Sequence, residues 1–162
     1  MIIALTGYMG AGKTTVGRIV ADALGCPFVD LDDVVVKKAG KSIPEIFAQD
    51  GEPAFRAIET DCLKRTVKKY ADSTVVLALG GGTVTCPGVP EMLHDKTLCI
   101  WLKASVETMM ARAHDGRPLA DENFAARYAT REPLYAAAAH IELDTEGLTS
   151  EEIADEIIID CL

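Results

Sequence analysis

The sequence predicts an α/β fold, a parallel sheet with helices on both faces, and three observations carry that expectation. Short apolar runs at residues 2–5, 28–30, 74–79 and 98–102 alternate with longer segments whose apolar residues recur at helical spacing. Most of these runs are apolar at successive rather than alternate positions, as in strands buried on both sides, and parallel strands of that kind need helical crossovers. The third observation is a glycine-rich turn, Gly7-Tyr8-Met9-Gly10-Ala11-Gly12-Lys13-Thr14, set directly between the first run and the first helical stripe.

Taken in order, Ile2-Ile3-Ala4-Leu5 is the first strand, and Val16, Ile19, Val20, Ala23 and Leu24 make residues 15–24 a helix. Gly25 suits its C-terminal cap and Pro27 blocks continuation, so Phe28-Val29-Asp30 starts a second strand. Asp30-Leu31-Asp32-Asp33 stands at its carboxyl end, ahead of a short helix over residues 34–39 that stops at Gly40. Ser42-Ile43-Pro44-Glu45 has capping-box spacing and opens a helix to Gln49. From Pro53 onward Phe55, Ile58, Cys62 and Leu63 share one face of a longer helix ending near Tyr70. The β-branched run at 74–79 is a third strand and leads into Gly80-Gly81-Gly82.

Residues 87–94 make at most a short helix, and Leu98-Cys99-Ile100-Trp101-Leu102 is the fourth strand. Ser105 caps a helix carrying Val106, Met109 and Met110, and residues 115–123 read as a polar loop around Gly116-Arg117-Pro118. Helix returns through Tyr128 and Tyr135, residues 140–144 offer a fifth strand, and Thr149-Ser150-Glu151-Glu152 caps a last helix. No repeat or low-complexity linker divides the chain, so a single domain over residues 1–162 is expected.

Composition narrows the partners. A net charge of −9 argues against nucleic acid, whose binding needs a basic face to displace counterions. No apolar run approaches the roughly 20 residues of a membrane span, and the opening residues are too short for a signal sequence. A cytoplasmic protein with no membrane partner is expected. The five cysteines include no C-x-x-C pair, which favours reduced thiols over a zinc site.

The turn at residues 7–14 fits the phosphate-loop pattern G-x-x-x-x-G-K-[ST]. Between a strand and a helix N-terminus, the N–H groups of Gly10, Ala11, Gly12, Lys13, Thr14 and Thr15 can converge on phosphate oxygens. Lys13 would reach the β- and γ-phosphates and the Thr14 hydroxyl would hold Mg²⁺. The strand rule places residues 7–14, Asp30 with Asp32, and Gly80 to Gly82 at one edge of the sheet, so three segments should meet in one cleft. Asp30 and Asp32 suit two separate roles, one on a Mg²⁺ water and one on an attacking hydroxyl; a helix cap or a solvated loop carboxylate is the alternative. Gly80-Gly81-Gly82 offers backbone N–H groups to an oxygen-rich ligand, or is a flexible turn. Arg56 stands three residues before Glu59, the spacing of a surface ion pair, but in a pocket it would offer a carboxylate a two-pronged fork.

Together these residues resemble the shikimate kinase family. The similarity runs from Ile2 to Thr145 and rests on the phosphate loop, Phe-Val-Asp-Leu-Asp, Ser-Ile-Pro-Glu-Ile-Phe, Phe-Arg-Ala-Ile-Glu, Leu-Gly-Gly-Gly, Gly-Arg-Pro-Leu and Arg-Glu-Pro-Leu-Tyr. It implies a P-loop, nucleoside-monophosphate-kinase-like three-layer fold with five parallel strands, a substrate-binding segment near residues 32–62 and a lid near 112–124. It implies transfer of the ATP γ-phosphoryl to the 3-hydroxyl of shikimate by a monomer. By the same resemblance, Asp30 lies in the magnesium water shell, and Asp32 binds shikimate hydroxyls and takes the proton. Arg56 and Arg131 clamp the substrate carboxylate, Gly81 contacts the ring hydroxyls, Arg112 lies against adenine and Arg117 covers the phosphates. The chain departs from the family in a shorter stretch between Arg117 and Arg131, in Ala120 after Leu119, and in Ala137 where many members carry Glu. The competing readings are a kinase of another polyol acid such as gluconate, and a nucleotide-binding module without turnover; a GTPase lacks its Asn-Lys-x-Asp stretch here.

Overall fold

The computed structural model describes residues 1–113 and 123–162. Its five strands are β1 (Ile2–Thr6), β2 (Phe28–Asp30), β3 (Val75–Ala78), β4 (Leu98–Lys103) and β5 (Ile141–Asp144), all parallel in the order β2-β3-β1-β4-β5. The helices are α1 (Lys13–Leu24), α2 (Leu31–Ala39), α3 (Ile43–Asp50), α4 (Glu52–Lys69), α5 (Val89–Lys96), α6 (Val106–Ala113), α7 (Phe124–Ala138) and α8 (Ser150–Glu156).

Burial follows strand position. Every residue of the inner strands β1 and β3 is buried, whereas the edge strand β5 alternates half-buried Ile141 and Leu143 with exposed Glu142 and Asp144. Right-handed crossovers put the helix leaving β1 on one face and those leaving β3 and β4 on the other. Accordingly α1 packs with α8, and α5 packs with α7. Gly17 lets α1 lie close on β2, since a Cβ there would stand 2.6 Å from the Phe28 ring.

Because the connections from adjacent β1 and β3 leave toward opposite faces, a crevice opens beyond their carboxyl ends. Register aligns its walls: Leu5 is level with Ala78, and Ala78 with Asp30. Three local features differ from or add to the sequence expectation. α2 begins at Leu31 rather than near residue 34, because the Asp30 side chain caps it by accepting from the Asp32 N–H. A 3₁₀ turn, Thr83–Thr85, follows the three glycines, and α8 runs on into a π turn, Ile157–Cys161.

Candidate active site

The phosphate loop is fixed by backbone conformation and by its surroundings. Gly12, the N-cap of α1, has φ 93°, a left-handed value that side-chain-bearing residues rarely adopt. Tyr8 points inward: its ring is buried against Phe124 and Tyr128, and its hydroxyl donates to the Phe124 carbonyl at 2.9 Å. Ala11 is buried too and contributes its backbone, donating to the Tyr8 carbonyl at 3.1 Å. The Lys13 ammonium folds back over the loop onto the carbonyls of Gly7 (2.5 Å) and Tyr8 (2.9 Å).

Beside it, the Thr14 hydroxyl donates to Asp30 Oδ2 at 3.1 Å, while Asp30 Oδ1 accepts the Asp32 N–H at 3.0 Å. Asp30 therefore caps α2 and also faces the first turn of α1. A hydroxyl and a carboxylate this close are hard oxygen donors suited to Mg²⁺, an ion that keeps several waters and takes few ligands from protein. Among the described residues no group of three or more His, Cys, Asp or Glu is poised around a common metal position.

Asp32 is held above the ordinary carboxylate range, at about 6 against 3.8, first by burial and then by the charges of Asp30 and Glu59; Lys13 opposes them. The raised value means that the folded chain releases this proton later than the unfolded chain does. Stability is therefore fully present below pH 3.8 and is lost as pH rises through about 6, by an amount on the order of 3 kcal/mol. We expect Asp32→Asn to melt at a higher temperature than the parent near neutral pH, with the gap closing toward pH 4. Paired thermal melts across that range check it; a mutant less stable at neutral pH would contradict the assignment.

The glycine segment after β3 is glycine for reasons of space. None of Gly80, Gly81 and Gly82 has a positive φ. A Cβ on Gly80 would stand 2.9 Å from Glu59 Oε2 and 3.3 Å from Asp32 Oδ1, and one on Gly82 would overlap the Arg56 guanidinium. Gly81 lies against the phosphate loop, with Met9 N 3.1 Å from its would-be Cβ. Side chains here would push the arginine and the carboxylates out of their places.

Arg56 and Glu59 do not form a surface pair. Glu59 is fully buried, receiving Arg56 Nη1 on one oxygen at 2.8 Å and the Thr83 hydroxyl on the other at 2.8 Å. Arg131, on α7, is 6% exposed, and the ion pairs among the described residues leave it out. It lies over the Tyr8 ring at 5.6 Å and one helical turn before Tyr135, whose hydroxyl donates to the Gly81 carbonyl. A buried guanidinium with no carboxylate partner among the described residues is chemically suited to an anion.

A cleft of about 650 Å³ joins these parts. Gly10, Gly12, Lys13, Thr14 and Thr15 line it on one side, with Asp30 and Asp32 beside them. Arg56, Gly80, Gly81, Gly82 and Arg131 line the rest, together with apolar Ile43, Phe47 and Phe55. Arg112 lies outside this cleft and donates to the Gly10 carbonyl at 3.1 Å. Arg117 and most of the expected lid lie outside the described residues. The sequence reading missed Glu59 as an interior group, Thr83, and Tyr135. The one available signal was helical phase: Glu59 is three residues after Arg56, and Tyr135 four after Arg131.

Comparison with known proteins agrees with this geometry. A family model described as shikimate kinase matches residues 9–162. A shikimate kinase of Moorella thermoacetica is 39% identical, the match covering 96% of this chain and 91% of that protein. Among solved structures, a shikimate kinase from Acinetobacter baumannii in complex with shikimate superposes with a TM-score of 0.88 at 36% identity, over 97% of this chain and 90% of that one. The shikimate kinase from Aquifex aeolicus gives 0.85 at 30% identity, over 99% of this chain and 96% of that one.

Proposed function

The chain belongs to the shikimate kinase family, and from that premise we propose how its cleft divides the work of phosphorylating shikimate from ATP. The observation that carries the reading is the buried Arg131, paired with no carboxylate among the described residues, in the same cleft as the phosphate loop. A carboxylate placed between Arg131 and Arg56 satisfies both guanidinium groups. It also holds a ring of hydroxyls toward Asp32 and the backbone of Gly80, Gly81 and Gly82.

The nucleotide phosphates occupy the loop from Gly10 to Thr15, and Lys13 transfers its N–H donors from the Gly7 and Tyr8 carbonyls to phosphate oxygens. Thr14 and Asp30 are the residues that would hold Mg²⁺, Asp30 through water, and the ion would supply neutralisation of phosphate charge. Arg112 is assigned to the adenine side and Arg117 to the phosphates. In the transfer, Asp32 accepts the proton of the 3-hydroxyl as its oxygen bonds to the γ-phosphorus, and the bond to the β-γ bridging oxygen breaks to release ADP. The protein contributes positioning and charge stabilisation, which together supply most of the catalysis in phosphoryl transfer.

We assign the protein to the cytoplasm, as a single domain acting as a monomer without nucleic-acid or membrane partners. Among the described residues no helix is long and apolar enough to cross a membrane. The gluconate-kinase-like reading and the inactive-module reading gain nothing from the matched family. The test is ADP release with Mg-ATP, with and without shikimate, beside gluconate and the nucleoside monophosphates. We expect release that depends on shikimate with little ATPase activity in its absence; equal release without acceptor, or a preference for gluconate, overturns the reading.

A further inference from the structure

We propose that Thr83 is a positioning residue: its hydroxyl pins the carboxylate of Glu59, and through Glu59 it fixes Arg56 in the orientation that receives the acid group of the substrate. The proposal rests on the assignment of Arg56 to the substrate carboxylate. Thr83 opens the 3₁₀ turn after the glycine segment, is fully buried and does not line the cleft. Its N–H donates to the Gly80 carbonyl at 3.3 Å, and the turn it opens packs on α4. Valine would fill the same space and make the same backbone bond.

A hydroxyl sealed in that position needs an acceptor, because burying one unpaired is unfavourable. It has one proton to give, and that proton goes to Glu59 Oε2 at 2.8 Å. The other oxygen of the carboxylate, Oε1, accepts from Arg56 Nη1 at 2.8 Å. A carboxylate swivels readily about the bond that carries it, since the terminal torsion of glutamate has broad minima. One hydrogen bond leaves that rotation open; two, arriving from different elements, close it.

Arg56 depends on that closure. Its buried Nε has no hydrogen-bond partner among the described residues, and exposed Glu52 stands 3.8 Å from it, too far for one. The guanidinium is therefore aimed mainly by its bond to Glu59. A Cβ on Gly80 would stand 2.9 Å from Glu59 Oε2, 3.1 Å from Thr83 Oγ1 and 3.3 Å from Asp32 Oδ1, so three oxygens converge above that glycine. Without the hydroxyl, Oε2 would have lost its donor in a buried site and would face a second carboxylate, and the group would turn to relieve both penalties. Turning Oε2 carries Oε1 with it, and Arg56 follows.

The test is Thr83→Val in the full chain, which keeps the shape and removes the hydroxyl, beside Thr83→Ser, which keeps the hydroxyl. We expect Thr83→Val to raise the KM for shikimate roughly tenfold, the scale of one hydrogen bond to a charged group, with kcat within a few-fold and the Kd for ATP within about twofold of the parent. Thr83→Ser should bind shikimate nearly as the parent does. An unchanged shikimate KM in Thr83→Val overturns the proposal, and so does a Thr83→Ser protein as impaired as Thr83→Val. Equal weakening of shikimate and ATP with a lowered Tm overturns it too, because that pattern marks a purely structural role. NMR of the Arg56 guanidinium is free of any substrate: its Nη protons should be resolved in the parent and in Thr83→Ser, and averaged by faster rotation in Thr83→Val. An unchanged spectrum overturns the proposal even if the parent proves not to phosphorylate shikimate; failure of the parent on shikimate, by contrast, overturns the functional reading alone. If Thr83→Val does not fold, the parent decides: the Thr83 hydroxyl proton should give a slowly exchanging signal coupled to the Glu59 carboxyl carbon, and its absence overturns the proposal.

Discussion

Asp32→Asn should lower kcat by roughly 10²-fold or more, the scale of a positioned general base, while the affinity for ATP stays within a few-fold. Asparagine keeps the size of the side chain and can still accept a hydrogen bond from a hydroxyl, but it cannot take the proton. The environment of Asp32 suits a general base, because burial, with the charges of Asp30 and Glu59, raises its carboxyl to about 6. It is ionised at neutral pH and yet more basic than an ordinary aspartate. Steady-state kinetics with both substrates, beside an ATP titration, measures the two quantities separately. A mutant within a few-fold of the parent in kcat would remove Asp32 from the chemistry, and a large loss of ATP affinity would recast it as a residue of the nucleotide site.

Replacing Arg56 or Arg131 by Ala should weaken shikimate binding by about 2–4 kcal/mol each, the cost of leaving a desolvated charge without its partner. The two losses should not add. Each arginine holds an acid group whose position the other fixes, so the double mutant should lie well short of the sum. Arg56 has a second duty, because its removal leaves the buried Glu59 with Thr83 as its remaining partner. Thermal melts of the Arg56→Ala protein therefore accompany the titrations, to separate lost folding stability from lost binding. Additive losses, or a single mutant of unchanged affinity, would show that the two residues do not share a ligand and would reopen the substrate assignment.

The central strands were legible because burial on both faces writes itself into sequence as unbroken apolar runs, as in Ile2-Ile3-Ala4-Leu5 and Val75-Val76-Leu77-Ala78. The edge strand β5 showed the other signature, alternation in Ile141-Glu142-Leu143-Asp144, because one side faces solvent. Asp30 illustrates a limit of local reading. Cap and metal-side carboxylate were weighed as alternatives; one oxygen makes the cap and the other accepts from the Thr14 hydroxyl, so the cap leaves the second oxygen facing α1. Glu59 illustrates another: an i, i+3 pair looks the same in sequence whether it lies on a surface or in a core, and only the packing of α4 under the Thr83 turn shows it sealed inside. Pro133 would ordinarily argue for a break in α7, since it removes a backbone donor, but the helix continues through it. The glycine triplet was read as exposed backbone or a flexible turn; the neighbours crowding it were not legible, because they arrive from α2, α4 and the phosphate loop.

Because buried Glu59 neutralises one of the two arginines and exposed Glu52 stands 3.8 Å from the same one, Arg56 and Arg131 present a net charge no higher than about +1 rather than +2. A monocarboxylate balances that charge. A second carboxylate on the same ligand would find no matching cation there and would face Asp32 and Glu59 across a partly desolvated space, where like charges repel more strongly than in water. On the proposed assignment the arginine end of the cleft would thus act as a valence filter as well as a shape filter, favouring an acid of charge −1 bearing neutral hydroxyls over one with a second carboxylate. On the same assignment the phosphorylated product would carry its added negative charge beside Asp30 and Asp32, which would favour its departure over its retention.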